Sequence, residues 1–299
     1  MALACKRVPR LRPGRFRRAF PRILFFLDSF VYTPGMKRMM DEVVVVTGSC
    51  TGIGRAMAKR FVEEGARVVV HGLEKDLGEE LVSELGEDSA ALHIQDLLEP
   101  DCALTLVAIA VERWGKLDAV VNNAAWVATG NIGDTDRDRF SRVLDVNTLA
   151  PYEVIRAALS ELRASKGSVL NIGSVNAYSG EPNLMAYSVS KGALMTLTRN
   201  LGDTLHREYG IRVNQINPGW VLTENEALRK REQGLQEDWD ADLPEVFAPA
   251  GRILHPDEIA AAAVYWLSRE SGPVSGQVVD LEQYPAFGRN PPKDESTIG

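Results

Sequence analysis

The hydrophobic pattern begins with Val43-Val44-Val45-Val46-Thr47, a β-branched run without polar alternation. Such a run fits a strand buried on both faces, as in a parallel sheet. Comparable short runs stand at 67–71, 90–94, 118–122, 168–172, 211–216 and 277–281. Between them the apolar spacing becomes helical. Leu104, Val107, Ala108 and Val111 share one face of 100–114. Further helices are expected from the turn after residue 47 to Glu64, and over 76–85, 135–163, 184–209 and 256–268. Gly65, Gly86, Gly115 and Gly210 stop four of these helices. Thr135 and Asp138 are spaced like a capping box. Strands alternating with helices at this pitch predict βαβ units, hence an α/β, doubly wound parallel sheet in three layers. No repeat or linker divides 41–283, so a single domain is expected there.

The flanks differ from this body. Residues 1–40 hold ten Lys and Arg against one acid, Asp28, while the whole chain carries −7. The remainder is therefore strongly acidic and unsuited to a phosphate backbone, so no nucleic-acid partner is expected. Pro9, Pro13 and Pro21 interrupt any long helix in the basic stretch. It reads as a disordered extension, or as sequence ahead of a later start at Met36, Met39 or Met40. The alternative is an organelle-targeting peptide, against which its poverty in hydroxyls (Ser29 and Thr33) counts. A cytoplasmic location is the expectation. Residues 284–299 read as a polar tail. Cys5, Cys50 and Cys102 are too few and too far apart for a zinc site or a disulfide framework. No stretch approaches the ~18 apolar residues of a membrane span.

The chemistry gathers at strand ends. Thr47-Gly48-Ser49-Cys50-Thr51-Gly52-Ile53-Gly54 lies between the first strand and the first helix. Glycine permits close backbone approach. The helix N-terminus offers free N–H groups and a positive dipole end to a diphosphate. The spacing is G-x-x-x-G-x-G rather than the commoner G-x-G-x-x-G. An acid often stands at the end of the second strand to accept the adenosine ribose hydroxyls. Here the chain reads His71-Gly72-Leu73-Glu74. No cation at 71–74 is available for a 2′-phosphate, which leans the cofactor expectation from NADP to NAD. Glu74 reads equally as the ribose acceptor and as a solvated loop acid. Cys50 reads as a small buried filler, with a reactive thiolate as the alternative.

Tyr187 and Lys191 are four apart on one face of the 184–209 helix. A phenol titrates near ~10, and bringing it to about 7 takes roughly 4 kcal/mol of phenolate stabilisation. A nearby ammonium in a site that excludes water supplies a large share of this. Ser174 ends the fifth strand, where open α/β sheets gather their active groups. Its hydroxyl suits a substrate oxygen on which charge develops.

Together these residues resemble the short-chain dehydrogenase/reductase family. The matching blocks are the Thr47–Gly54 turn, Asn122-Asn123-Ala124, Asn147, Ser174, Tyr187-x-x-x-Lys191 and Pro218-Gly219, in family order over about 41–283. The resemblance implies a Rossmann fold and metal-free hydride transfer between nicotinamide and a secondary alcohol or ketone. It makes Tyr187 the general acid/base, with Lys191 lowering its pKa and holding the nicotinamide ribose. Ser174 would position the substrate oxygen, and Asn147 would hold a water that links Lys191 to solvent. Gly48, Ser49, Thr51, Gly52, Ile53 and Gly54 would line the cofactor phosphates and ribose. Gly72, Leu73, Asp96 and Leu97 would lie by the adenosine, and Asn123, Ala124 and Ala125 under the cofactor. Pro218, Gly219, Val221 and Thr223 would approach the nicotinamide.

The chain departs from the family pattern in places. Ala125 replaces a usual glycine, a change expected to be tolerated. Asp280-Leu281-Glu282-Gln283 replaces a common Asp-Gly-Gly, which puts the C-terminal turn and its subunit interface in doubt. Trp220 reads equally as a pocket wall and as packing for the following loop. The family's lid falls at 224–250. There Glu224, Glu226, Arg229, Lys230 and Arg231 read as a solvated helix face, and Trp239 and Phe247 as the apolar groups that close over a substrate. The expected enzyme acts on a small carbonyl or alcohol compound as a homotetramer or homodimer. The alternatives are a 3-oxoacyl thioester reductase, a sugar or polyol dehydrogenase, or a non-catalytic cofactor-binding regulator. The acidic body offers no basic patch for an acyl-carrier protein, which favours a small free substrate.

Overall fold

The computed structural model describes residues 37–285. The expectations for the basic extension and the C-terminal tail fall almost wholly outside the described residues. The elements are β1 (Val43–Val46), α1 (Gly52–Glu63), β2 (Arg67–Gly72), α2 (Lys75–Leu85), β3 (Ala90–Ile94), α3 (Cys102–Trp114), β4 (Ala119–Asn122), α4 (Arg137–Leu144), α5 (Ala150–Ala157), α6 (Leu159–Ser165), β5 (Ser168–Ile172), α7 (Asn176–Ser179), α8 (Met185–Tyr209), β6 (Arg212–Pro218), α9 (Glu224–Glu232), α10 (Pro256–Leu267) and β7 (Val278–Leu281). The strands form one sheet in the order β3-β2-β1-β4-β5-β6-β7, with every pair parallel. This is the three-layer Rossmann architecture that the alternation predicts.

The valine run shows why both faces are covered. Successive strand residues point to opposite faces. Val44 and Val46 pack with Met57 and Phe61 of α1 and Ile259 and Val264 of α10. Val43 and Val45 pack with Leu106 and Ala110 of α3 and Val154 of α5. All four valines are fully buried, each contributing about 1.5–3 kcal/mol of apolar burial. The winding reverses between β1 and β4, which pair directly. Ligands of open α/β sheets bind at the strand carboxyl ends beside such a switch point. The adjacency of β1, β4, β5 and β6 brings the glycine turn, residues 122–125, Ser174 and Pro218-Gly219 to that one edge.

Three local features differ from the sequence pattern. The single helix expected over 135–163 is α4, a π-helical turn Asp145–Leu149, then α5 and α6. Ala150 N–H reaches back five residues to Asp145 O, and Pro151, next in line, has no N–H to continue the ladder. The cap of α4 is Asp136, whose carboxylate accepts Arg139 N–H at 2.8 Å, rather than the Thr135 and Asp138 pair. The described fold also includes residues just before 41. Met39 is fully buried, and Arg38 forms a 2.6 Å ion pair with Glu64 at the end of α1. Among the described residues, no helix is long and apolar enough to cross a membrane.

Candidate active site

The glycine turn is held by hydrogen bonds from both neighbouring strands. Asn123 Nδ2 donates to Thr47 O (3.0 Å) and Gly48 O (2.8 Å). Thr47 Oγ1 accepts Asn123 N–H (3.0 Å) and Ala124 N–H (3.1 Å). Gly48 has φ +61°, and a Cβ there would lie 2.8 Å from Ala124 Cα. Gly54 has no room either, because a Cβ would meet Gly48 O at 2.2 Å and Asn123 Nδ2 at 2.6 Å. Ala125, the departure from glycine, is exposed.

On the other side stands His71, to which the sequence pattern assigns no role. Gly48 N–H donates to His71 Nδ1 at 3.3 Å, and His71 Nε2 lies 3.0 Å from Gln95 O. The ring is thus the neutral tautomer with its proton on Nε2. Ser49 N–H donates to His71 O (2.7 Å), and His71 N–H to Ser49 Oγ (3.0 Å). A histidine ending a run of valines was the one available signal. Burial pushes its pKa down from 6.5 to about 4. The unfolded chain then takes up a proton as pH falls through 6.5 while the folded chain does not. Stability is therefore lost between pH 6.5 and about 4, by up to about 3 kcal/mol at ~1.4 kcal/mol per unit. In denaturant titrations at pH 7 and pH 4, His71→Gln should lose less stability on acidification than the parent. Equal losses would remove His71 from the account.

At the β2 end, Gly72 packs on Cys50, whose Sγ would lie 2.5 Å from an added Cβ. Cys50 is buried and its thiol is pushed up to about 11, first by burial and then by the Glu74 charge, so the thiolate alternative fails. Leu73 is exposed, and its N–H donates to Glu74 Oε2 at 3.2 Å. The nearby cations are engaged elsewhere. Arg55 pairs with Glu80 (2.8 Å) and Glu84 (3.5 Å), and Lys75 with Glu79 (3.5 Å). Asp96 accepts Leu98 N–H (3.0 Å) and pairs with Arg142 (3.1 Å), while Leu97 packs into the core.

Ser174, Tyr187 and Lys191 converge below this edge. Ser174 follows β5 and stands near enough to the Tyr187 hydroxyl to draw its pKa down. Its Oγ also accepts Asn176 N–H at 3.2 Å. Tyr187 sits in the first turn of α8, half-buried, where the helix dipole favours negative charge. Lys191 is buried, its Nζ donating to Ile172 O at 2.7 Å and standing 5.6 Å from the Tyr187 ring centre. Burial pushes the Tyr187 phenol up, while the Ser174 hydrogen bond and then the Arg229 charge draw it down. Burial also brings Lys191 down to about 7. In the protein alone burial is thus the largest influence on both groups, raising the phenol and lowering the ammonium. Asn147 lies in the π-helical turn, fully buried. Its Oδ1 accepts Trp126 N–H (2.7 Å), and its Nδ2 donates to Trp126 O (3.1 Å) and Ser190 Oγ (3.0 Å).

The 224–232 segment is only in part the solvated face its charges suggested, with Glu224 and Arg231 exposed. Glu226 is buried, accepting from Trp220 Nε1 at 2.8 Å and pairing with Arg229. Lys230 lies 5.1 Å over the Trp220 ring, and Trp239 stacks on Trp220 at 5.4 Å. Trp220 and Trp239 thus pack as a pair, whereas Phe247 is exposed. Charged pairs at i,i+3 and i,i+4 after the capping Thr223 were the sequence signal for this helix. Beside it lies a cleft of about 480 Å³ whose lining includes Asp134, Arg139, Glu181, Asn183, Arg229 and Lys230. The C-terminal departure also has a use within the chain. Glu282 Oε2 accepts Trp220 N–H (3.1 Å), and a Cβ on Gly219 would meet that oxygen at 1.8 Å. Gln283 ties Ala250 N–H (2.9 Å) and Arg252 O (2.7 Å).

These residues fit a dinucleotide diphosphate at the start of α1. The turn backbone approaches its neighbours closely, the first helical turn contains no acid, and Thr51 makes no side-chain cap. A carboxylate, that of Glu224, hydrogen-bonds Gly52 N–H there, so this end of the helix already attracts an anion.

Comparison with known proteins agrees. A family model described as "Enoyl-(Acyl carrier protein) reductase" matches residues 48–282. The chain is 36% identical to an L-fucose dehydrogenase of Mus musculus over 235 residues, 77% of this chain and 84% of the relative. It is 31% identical to an NADP-dependent (R)-specific alcohol dehydrogenase of Lentilactobacillus kefiri over 239 residues, 78% of this chain and 92% of the relative. An uncharacterized oxidoreductase of Thermotoga maritima is 35% identical over 231 residues, 75% of this chain and 87% of the relative. With its seven-stranded parallel sheet and this breadth of likeness, the chain belongs to the short-chain dehydrogenase/reductase family of NAD(P)-dependent oxidoreductases acting on CH–OH and C=O groups.

Proposed function

We propose that the protein transfers a hydride between nicotinamide and a secondary alcohol or ketone of a small polyhydroxylated substrate, with Tyr187 as general acid/base. The observation that carries this reading is the convergence of Ser174 at the end of β5, the Tyr187 hydroxyl, and the buried Lys191 amine 5.6 Å from the tyrosine ring centre. The nicotinamide supplies or accepts the hydride when bound. Ser174 orients the substrate oxygen. Tyr187 gives that oxygen its proton on reduction and takes it on oxidation. Lys191, fixed on Ile172 O, keeps a positive end near the phenol whenever it is protonated. Asn147 braces the loop at Trp126. Gly48, Ser49, Ile53, Gly54 and Thr223 are the candidates for holding the diphosphate and its riboses. NAD is proposed over NADP because Arg55 and Lys75 are already paired with acids. A homodimer or homotetramer is also proposed, supported by the exposed apolar side chains of Tyr152 and Val189 on α5 and α8.

The substrate class rests on the cleft. Its lining holds both carboxylates (Asp134, Glu181) and cations (Arg139, Arg229, Lys230), and few apolar groups face it. Hydroxyl groups satisfy such a lining, whereas an apolar ligand leaves it unpaired at about 1–3 kcal/mol per group. The likeness to L-fucose dehydrogenases supports the same class. A panel of aldoses, polyols and apolar secondary alcohols, each tested with NAD and NADP, should show kcat/KM at least about 10-fold higher for the hydroxylated compounds, with NAD preferred. Faster turnover of apolar alcohols would contradict the proposal.

A further inference from the structure

The first turn of α1 receives its anion from another helix. Glu224 opens α9, whose own N-terminus is already capped by Thr223, with Oγ1 accepting Glu226 N–H at 3.1 Å. The Glu224 side chain is therefore spare, and its Oε2 accepts Gly52 N–H at 3.2 Å. Asn225 follows it, Nδ2 donating to Thr51 Oγ1 at 3.4 Å. The packing is close, because a Cβ on Gly52 would lie 3.3 Å from Thr223 Cγ2. A carboxylate 172 residues away in sequence thus stands at the helix end whose own first turn contains no acid.

A diphosphate at this helix end needs the same backbone N–H groups and brings negative charge against Glu224. We infer that Glu224 is an internal competitor for the diphosphate site, whose carboxylate leaves Gly52 when a dinucleotide binds. Its departure frees the start of α9. The same helix carries Arg229 and Lys230 into the substrate cleft, so occupancy of the dinucleotide site is communicated to the cleft wall. This inference rests on the dinucleotide reading above.

The test is fluorescence titration of the full chain with NADH, comparing the parent with Glu224→Gln and Glu224→Ala. Glu224 is exposed, so neither substitution disturbs the core. Both variants should bind NADH about 3- to 10-fold more tightly, as expected for removal of a charged competitor from one hydrogen bond. The gain should shrink at high ionic strength, where charge repulsion is screened. Measurable binding by the parent with equal or weaker binding by both variants overturns the inference and leaves the dinucleotide reading standing. No binding by any of the three overturns both.

Discussion

Replacing Tyr187 with phenylalanine should lower kcat by about 10²–10⁴-fold, the range contributed by a positioned acid or base, with dinucleotide affinity preserved. The ring remains to fill its place, and only the hydroxyl beside Ser174 is lost. The pH dependence follows from the direction of the tyrosine shift. Burial holds the phenol above its ordinary 10 in the protein alone, so it is protonated at neutral pH. Proton donation to a carbonyl is then available at pH 7, whereas oxidation needs the scarce phenolate and should accelerate as pH rises. The residual rate of the Phe variant should lack that slope. Steady-state rates in both directions from pH 6 to 10 check this, and a variant with parental kcat would remove Tyr187 from the chemistry.

Gly54→Ala should have the second largest effect, and on a different step. The added methyl would meet Gly48 O at 2.2 Å and Asn123 Nδ2 at 2.6 Å. Neither neighbour can withdraw freely. The first is backbone, and the second donates to Thr47 O and Gly48 O. Overpacking of this kind costs about 1–3 kcal/mol, or several degrees of Tm in a domain of this size. The turn must open to relieve it, so dinucleotide Kd should rise about 10-fold or more. Calorimetry with a binding titration separates the two losses. Unchanged affinity would mean that Gly54 packs the turn without shaping the dinucleotide site.

Most of the fold is legible because the sheet is buried on both faces. Runs such as Val43–Val46 carry no ambiguity of face, and glycines mark where helices end. The positions of Ser174, Tyr187 and Lys191 follow from strand ends and helical spacing alone. The parts that were not legible depend on contacts between distant segments. Thr135 and Asp136 are both good caps, and only the turn geometry selects Asp136. Glu226 looks solvated until Trp220, stacked on Trp239, hydrogen-bonds it. His71 looks like a polar residue at a strand end until the fold sets its ring against Gly48 N–H. The altered C-terminal turn carries Glu282 and Gln283, whose bonds to the 219–252 loops of their own chain no local pattern shows. The depth of Lys191's burial, which lowers its own pKa to about 7, is likewise a property of the packed helix that spacing alone does not show.

The most direct test of the central claim is isotope transfer. Purified protein would be given NADH with both hydrogens at the nicotinamide C4 replaced by deuterium, together with a ketose, and the product analysed by mass spectrometry. Hydride transfer at this site predicts one deuterium on the new carbinol carbon, with the Tyr187→Phe protein giving almost no labelled product. Reduced product without deuterium, or equal labelling by the two proteins, would contradict the account.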